Sequence, residues 1–458
     1  MGKLWQKLIP AHKLVERFTV WDNHLLDRHL VAADCAASIA HAQMLAAIGI
    51  LKPEEVAALK EALLGIIRRS ERGKFSVPRE EEDCHTAIEN ELTRTLGEAG
   101  KKIHTGRSRN DQIIAALRLY TRDFLLEFRG AVLGLVSTLI AFAGRHAEVP
   151  MPGRTHMQIA MPSSVGLWAG AYAEELLDDL RLVQTAYDLN NTSPLGSAAS
   201  YGVPLPLDRE MVCRALGFGR VQNNVLYVNN SRGKMEAIVL EAVEQVMLTL
   251  SKLAQDLILF SMPEFGYFGL PEEYCTGSSI MPQKRNPDAL ELVRARTATV
   301  SACAAQIKSI IRALPSGYNG DFQETKAPFL GGLSTGLACV RVMDLVLEKL
   351  SVNEEKLLAG FIPEIFATDR ALELVSRGVP FRDAYREVGL HLERLRGLDP
   401  REALKAKSYP GTTGNLGLEL SEARLEELKS ELEGERKRVR KAVASLTGLE
   451  VVFFREDG

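Results

Sequence analysis

Apolar residues recur at three- and four-residue spacing over windows far longer than an ordinary globular helix, and few prolines interrupt them. Through residues 234–261 the positions Ile238, Val239, Val243, Val246, Met247, Leu250, Leu253 and Leu257 keep that spacing. Residues 111–145, 163–190, 288–312 and 330–350 read the same way. Helices beyond the usual length of about 8–20 residues predict a bundle, a coiled coil or a helical repeat. No repeat of fixed period is found, and strand signals are almost absent, so an all-α bundle is expected. The stretch 130–144 is apolar around most of its circumference, which calls for burial on more than one side. A bundle shared between subunits meets that need better than a monomer does.

At 458 residues the chain suits two to four domains, taking roughly 100–200 residues for each. Three regions are expected: a mixed, mostly helical part over 1–108, the bundle over 109–360, and a more charged helical part over 361–458. The charged helix 422–443 reads as a solvated face, and the apolar tail 451–454 as tucked against the domain. With 46% hydrophobic and 25% charged residues the chain is not mainly disordered. Its net charge of −3 advertises neither a nucleic-acid nor an anionic-membrane partner. The six cysteines are scattered without a CxxC pair and read as reduced thiols. The N-terminus lacks the apolar run of a signal peptide, and 130–144, bracketed by Arg129 and Arg145, falls short of the ~20 residues of a membrane span. A soluble, cytoplasmic protein is expected.

Three polar loops stand before three of the long helices. The first, residues 104–112, runs His104-Thr-Gly-Arg-Ser-Arg-Asn-Asp-Gln112 without one aliphatic side chain. The second holds Arg154-Thr-His-Met-Gln158, followed by Pro162, a residue suited to a first helical turn. The third runs from Gly277 to Asp288, where Asn286 suits a cap, Pro287 a first position and Asp288 the helix dipole. Free N–H groups at a helix N-terminus favour an anion, so three such loops suit a small polyanion such as a dicarboxylate. Each loop alone also reads as a plain capped connection, and spacing does not decide whether they converge.

Motifs of other chemistries are missing. There is no GxSxG elbow, no GxxxxGK phosphate loop and no strand-borne GxGxxG. The histidines show no HExxH or comparable ligand spacing, so no metal and no cofactor are expected. The third loop places Ser278 and Ser279 beside Lys284 behind Gly277, a layout suited to a lid that excludes water. Proton abstraction next to a carboxylate fits what remains.

Gly277-Ser-Ser-Ile-Met-Pro-Gln-Lys-Arg-Asn-Pro287 resembles the signature of the fumarase/aspartase superfamily of β-elimination lyases, and Gln283 is similar to its argininosuccinate-cleaving branch. So are the first loop, Met151–Gln158, Ser193-Pro-Leu-Gly-Ser197 and Tyr318–Lys326. The match runs in order from Asp83–Glu89 to Gly378–Arg382. The resemblance implies reversible cleavage of argininosuccinate to arginine and fumarate through an aci-carboxylate carbanion, the last step of arginine biosynthesis. It implies a three-domain homotetramer with a twenty-helix core, each site being built from loops of three subunits.

By the same resemblance Ser278 takes the Cβ proton, activated by helix N–H groups and Lys284. His156, oriented by Glu291, helps protonate the departing nitrogen. The reverse assignment of acid and base stays open. Asn110, Thr155, Lys284 and Asn286 would hold the succinyl carboxylates, with Ser108 and Arg109 of the first loop beside them. Tyr318, Gln323 and Lys326 would hold the arginine portion, where a lysine suits the α-carboxylate. Arg107 and Arg109 would order the first loop or neutralise substrate charge. His85 and His104 read as supports, Cys275 as packing and Ser279 as a capping hydroxyl.

The chain also departs from the family pattern. Leu4–Pro10 replaces the common Leu-Trp-Gly-Gly-Arg-Phe, and the family's substrate-touching serine is replaced around Asn23. Asn230-Ser-Arg-Gly-Lys234 stands where Ser-Asp-Arg-Asp is common, and Gly411–Gly414 only partly matches Gly-Gly-Thr. Two other readings are a lyase of another N-substituted succinate and a non-catalytic structural oligomer like the lens crystallins of this family. Retention of Ser278, His156, Lys284 and Glu291 speaks against the second.

Overall fold

The computed structural model describes residues 12–455, so the departure at residues 4–10 lies outside the described residues. Helices dominate. Leading into the bundle are α1 (Val31–Ala47), α2 (Pro53–Glu71) and α3 (Cys84–Leu96). The long helix α4 (Arg109–Arg145) follows. A hairpin of β1 (Pro150–Thr155) and β2 (Gln158–Ser164) then leads to α5 (Val165–Asn190). The bundle continues with α6 (Lys234–Ser261), α7 (Asp288–Ile311) and α8 (Lys326–Glu348). Beyond it lie α9 (Ala367–Ser376), α10 (Phe381–Leu390) and α11 (Leu418–Thr447).

Within the bundle α6 lies along α7 and α5, α4 along α5 and α8, and α7 along α8. The period of the sequence is the cause: Val239, Val243, Val246, Leu250, Leu253 and Leu257 of α6 are all buried. A buried core extends from Leu30 to Phe454, and α11 lies across α4 and α5 as part of it. A small separate core joins Ala371, Ala384, Val388 and Leu395. The tail is tucked in as expected: the Phe453 N–H donates to Asp123 Oδ2 at 2.8 Å and the Phe454 ring packs edge-on to Tyr120 and Phe124.

Two expectations need correction. The second polar loop does not open a helix but turns a hairpin, and Pro162 lies in β2, not in a first helical turn. Ser164 caps α5 instead, its Oγ accepting from the Leu167 N–H at 3.0 Å. Gly153 permits the bulge in β1, since a Cβ there would lie 2.6 Å from the Met161 carbonyl oxygen. Second, three stretches, Lys13–Ala47, Arg109–Arg145 and Gly320–Glu348, are long and apolar enough to cross a membrane. The helix around 130–144 is longer than that stretch, since α4 runs from Arg109 to Arg145. Much of that apolar surface is used in packing, and 61% of the most apolar window of α4 is buried within the chain.

Candidate active site

Six of the thirteen candidate residues stand apart from the other seven. Asn23, Ser108, Arg109, Asn110, Tyr318, Gln323 and Lys326 line one cavity of about 210 Å³, together with Asp27, Glu82, Asp83, His85, Ile113 and Arg232. Three larger cavities, near Tyr120, beside Leu416–Glu419 and in the small lobe of α9 and α10, hold none of the candidates.

The first wall of the site is the N-terminus of α4. Ser108 caps it, its Oγ accepting from the Asn110 N–H at 3.2 Å, while Asp111 accepts from the Ser108 N–H at 2.9 Å. The other Asp111 oxygen accepts from the N–H groups of Gly196 and Ala198, so the first loop is locked to the 193–197 segment. Complete burial pushes the Asp111 carboxyl up to about 6. Arg107 is buried and donates to Ser38 Oγ at 2.8 Å, and His41 Nε2 donates to the Thr105 carbonyl at 2.9 Å. Arg109 reaches across to Asp83 Oδ2 at 2.8 Å and Glu82 Oε2 at 3.4 Å. Arg107 thus orders the loop, and Arg109 is held at the cavity by carboxylates.

The second wall pairs residues some three hundred positions apart. Lys326 Nζ donates to Asn23 Oδ1 at 2.6 Å and forms a buried ion pair with Asp27. Asp27 Oδ2 accepts from the Cys84 N–H at 3.1 Å, and Asn23 Nδ2 donates to the Glu82 carbonyl at 3.3 Å. Gln323 is anchored through Nε2 to the Thr19 carbonyl at 2.7 Å. Sequence reasoning missed Asp27 and Arg232; Asp27 carries no local pattern, whereas Arg232 sits inside a motif already marked as a departure. His85 pairs with the buried Asp34 at 3.0 Å; burial pulls its pKa down, but that carboxylate leaves it raised overall. Asp27, Cys84 and His85 lie close enough to suggest a cation site. Both Asp27 oxygens are already taken, by Lys326 and by the Cys84 N–H, and His85 Nδ1 pairs with Asp34, so the Lys326 ammonium supplies the positive charge there, although His85 Nε2 has no hydrogen-bond partner among the described residues.

The remaining six candidates lie on two exposed segments. His156 and Thr155 are at the tip of the hairpin, and both central turn residues, His156 (φ 52°) and Met157 (φ 62°), have left-handed backbones. Such a turn ordinarily takes Asn and Gly, so two residues with full side chains are held here against their preference. Ser278, Lys284 and Asn286 lie on a loop closed at its base by the backbone pairing of Thr276 with Asn286. The Ser278 Oγ accepts from the N–H groups of Ile280 (3.3 Å) and Met281 (3.1 Å), which favours a negatively charged oxygen there. Asn286 does not cap α7 as expected; its Nδ2 donates to the Gly277 carbonyl at 3.2 Å and Pro287 occupies the cap. Glu291 is exposed in the first turn of α7, and among the described residues no hydrogen bond or ion pair joins it to His156. Within one chain the candidates therefore fall in three places: the cavity, the hairpin tip and the serine loop.

A Lyase family model matches residues 7–301. The chain is 45% identical over 386 residues to an argininosuccinate lyase of Thermotoga neapolitana, covering 84% of this chain and 97% of that one. It is 45% identical over 417 residues to an argininosuccinate lyase of Sorangium cellulosum, covering 91% and 97%. Its fold is similar to an EDDS lyase solved with formate (TM-score 0.81, 24% identity, 96% of this chain and 95% of that one).

Proposed function

This chain belongs to the argininosuccinate lyases, and on that premise we propose that its three partial sites are completed by one another in a homotetramer. The reaction is the cleavage of argininosuccinate to arginine and fumarate. The observation that carries the reading is the division of the site: seven binding candidates share one cavity, while the two residues assigned to proton transfer, His156 and Ser278, lie on segments elsewhere. A neighbouring chain's hairpin and another's serine loop over the cavity would enclose a substrate that one chain leaves half open. A cavity of about 210 Å³ is smaller than the roughly 300–1,000 Å³ of a complete small-molecule site, as a partial site should be.

In the assembled site the N-terminus of α4 at Ser108–Asn110 would hold the succinyl carboxylates, together with Thr155, Lys284 and Asn286 from the incoming segments. One proton-moving group removes the Cβ proton, leaving a carbanion whose charge spreads into the adjacent carboxylate. The C–N bond then breaks and the departing guanidino nitrogen takes up a proton. We assign Ser278 as the base, because two N–H donors already face its oxygen, and His156 as its acid partner. Glu291 would orient His156 only across subunits. Six unpaired cysteines support a reducing, cytoplasmic setting.

The test is fumarate release, followed by ultraviolet absorbance, with argininosuccinate, adenylosuccinate and aspartate in parallel. Fumarate and arginine appearing together from argininosuccinate alone is the expected result. Turnover of another N-substituted succinate alone would shift the substrate, and no turnover by a folded oligomer would favour the non-catalytic reading.

A further inference from the structure

We propose that Arg232 receives the α-carboxylate of the arginine portion of the substrate and so sets the preference for an amino acid over a simple guanidine. The inference rests on the reading of the cavity as the argininosuccinate site. Three cations line that cavity: Arg109, Lys326 and Arg232. Arg109 is held by Asp83 and Glu82, and Lys326 by Asp27 and Asn23. Arg232 is 5% exposed, yet none of its nitrogens makes a hydrogen bond or ion pair among the described residues. Its Nε is fully buried without a partner. A guanidinium taken from water and left unpaired is unfavourable unless something supplies the missing anion.

The surroundings fix its position. Its guanidinium carbon lies 5.7 Å from the Tyr318 ring centre and 5.8 Å from that of Phe322, a stacking that holds the plane and leaves the edge free. The backbone on either side is pinned as well. Asn230 Oδ1 accepts from the Gly317 N–H at 2.8 Å, tying this segment to the one that carries Tyr318. Ser231 Oγ accepts from Arg118 at 2.9 Å. Gly233 has φ +75°, and a Cβ there would lie 2.4 Å from Ile311, so the turn that presents Arg232 needs glycine. The acid on the same face, Glu236, is buried one turn on and lies beyond ion-pair distance. Tyr318, Gln323 and Lys326, the candidates for the arginine portion, line the same cavity, and the anion that the arginine portion of the substrate brings there is its α-carboxylate.

Binding of L-arginine and of agmatine, the same side chain without the carboxylate, separates this role from stacking alone. Calorimetry on the wild-type protein should show arginine bound at least about 30-fold more tightly than agmatine, the scale of one buried, hydrogen-bonded charge pair. Arg232→Met should lose most of that preference by weakening arginine binding, with agmatine binding changed less than about threefold. Arg232→Lys should keep part of it, because the charge remains but the planar fork is lost. A Met or Lys variant with the full wild-type preference would overturn the proposal, and so would a wild-type protein that does not prefer arginine. Fumarate release by the same wild-type preparation tells the two readings apart. Turnover without an effect of Arg232 removes only this inference, whereas an arginine preference without turnover removes only the enzymatic one.

Discussion

Ser278 is half-buried on a loop outside the core, where its proposed role is to carry negative charge. Its oxygen faces two N–H groups, and its loop contributes little to the core. Ser278→Ala should therefore lower kcat by at least about 10³-fold, the scale of losing a preorganised stabilising group, while thermal melting stays within error of wild type. Melting curves and fumarate release on one preparation check this, and near-wild-type turnover would remove Ser278 from the base role. His156→Asn should reduce kcat less, by about 10²-fold, since water can supply a proton to the departing nitrogen. Asn also accepts the left-handed backbone that His156 adopts, so this change should not loosen the turn.

The first loop owes its position to residues whose charge states differ from those in water. Burial, helped by the nearby Arg107, pushes His41 down to about 3, so it stays neutral and donates to Thr105. Its folded pKa lies below its ordinary 6.5, so the stability it contributes is lost as pH falls from about 6.5 toward 3. Asp111 runs the other way: with its folded pKa raised to about 6, its penalty eases as pH falls from 6 toward 4. The two overlap, so the difference between wild type and His41→Gln isolates the histidine. Urea midpoints should fall more steeply on acidification in wild type than in the variant; equal slopes would show that His41 does not hold this loop.

The long helices were legible in the sequence because their period is enforced by a core on at least one side, and residues 234–261 emerge with the same ends. The β1–β2 hairpin was not. Pro150, Pro152 and Pro162 break the alternation that marks a strand, and prolines are tolerated there because a two-stranded ribbon is all edge. Of the candidate site, the position of the first and third loops before long helices was readable from their dense polar residues. The pairing of Lys326 with Asp27 was not, since no local pattern joins residues that distant in the chain. At Gly233→Ala we expect a loss of about 1–3 kcal/mol, from the left-handed backbone and the crowding by Ile311, measured by urea denaturation.

On the scale of the whole molecule, the bundle presents apolar surface that one chain does not cover. Leu182, Leu248, Leu292 and Leu345 are each close to half exposed on four different bundle helices. Along α7 the exposed face carries Ala298, Ala302 and Ala305, small residues that allow another helix to approach closely. If the proposed oligomer forms through this face, Ala302→Arg should dissociate it and abolish turnover together, read by light scattering and fumarate release. A monomer that retained full turnover would place a complete site within one chain.

The division of the site between chains is tested most directly by mixing two defects. Ser278→Ala would remove the proposed proton acceptor, and Asn110→Asp would set a carboxylate in the cavity against the proposed position of the succinyl carboxylates. Each variant alone should be nearly inactive. Co-expressed with different tags and purified as mixed oligomers, they should regain turnover, because random assembly in a symmetric oligomer leaves about a quarter of the sites with neither defect. Mixed oligomers no more active than either parent would mean that serine loop and cavity of the same chain form the site, and would contradict the account.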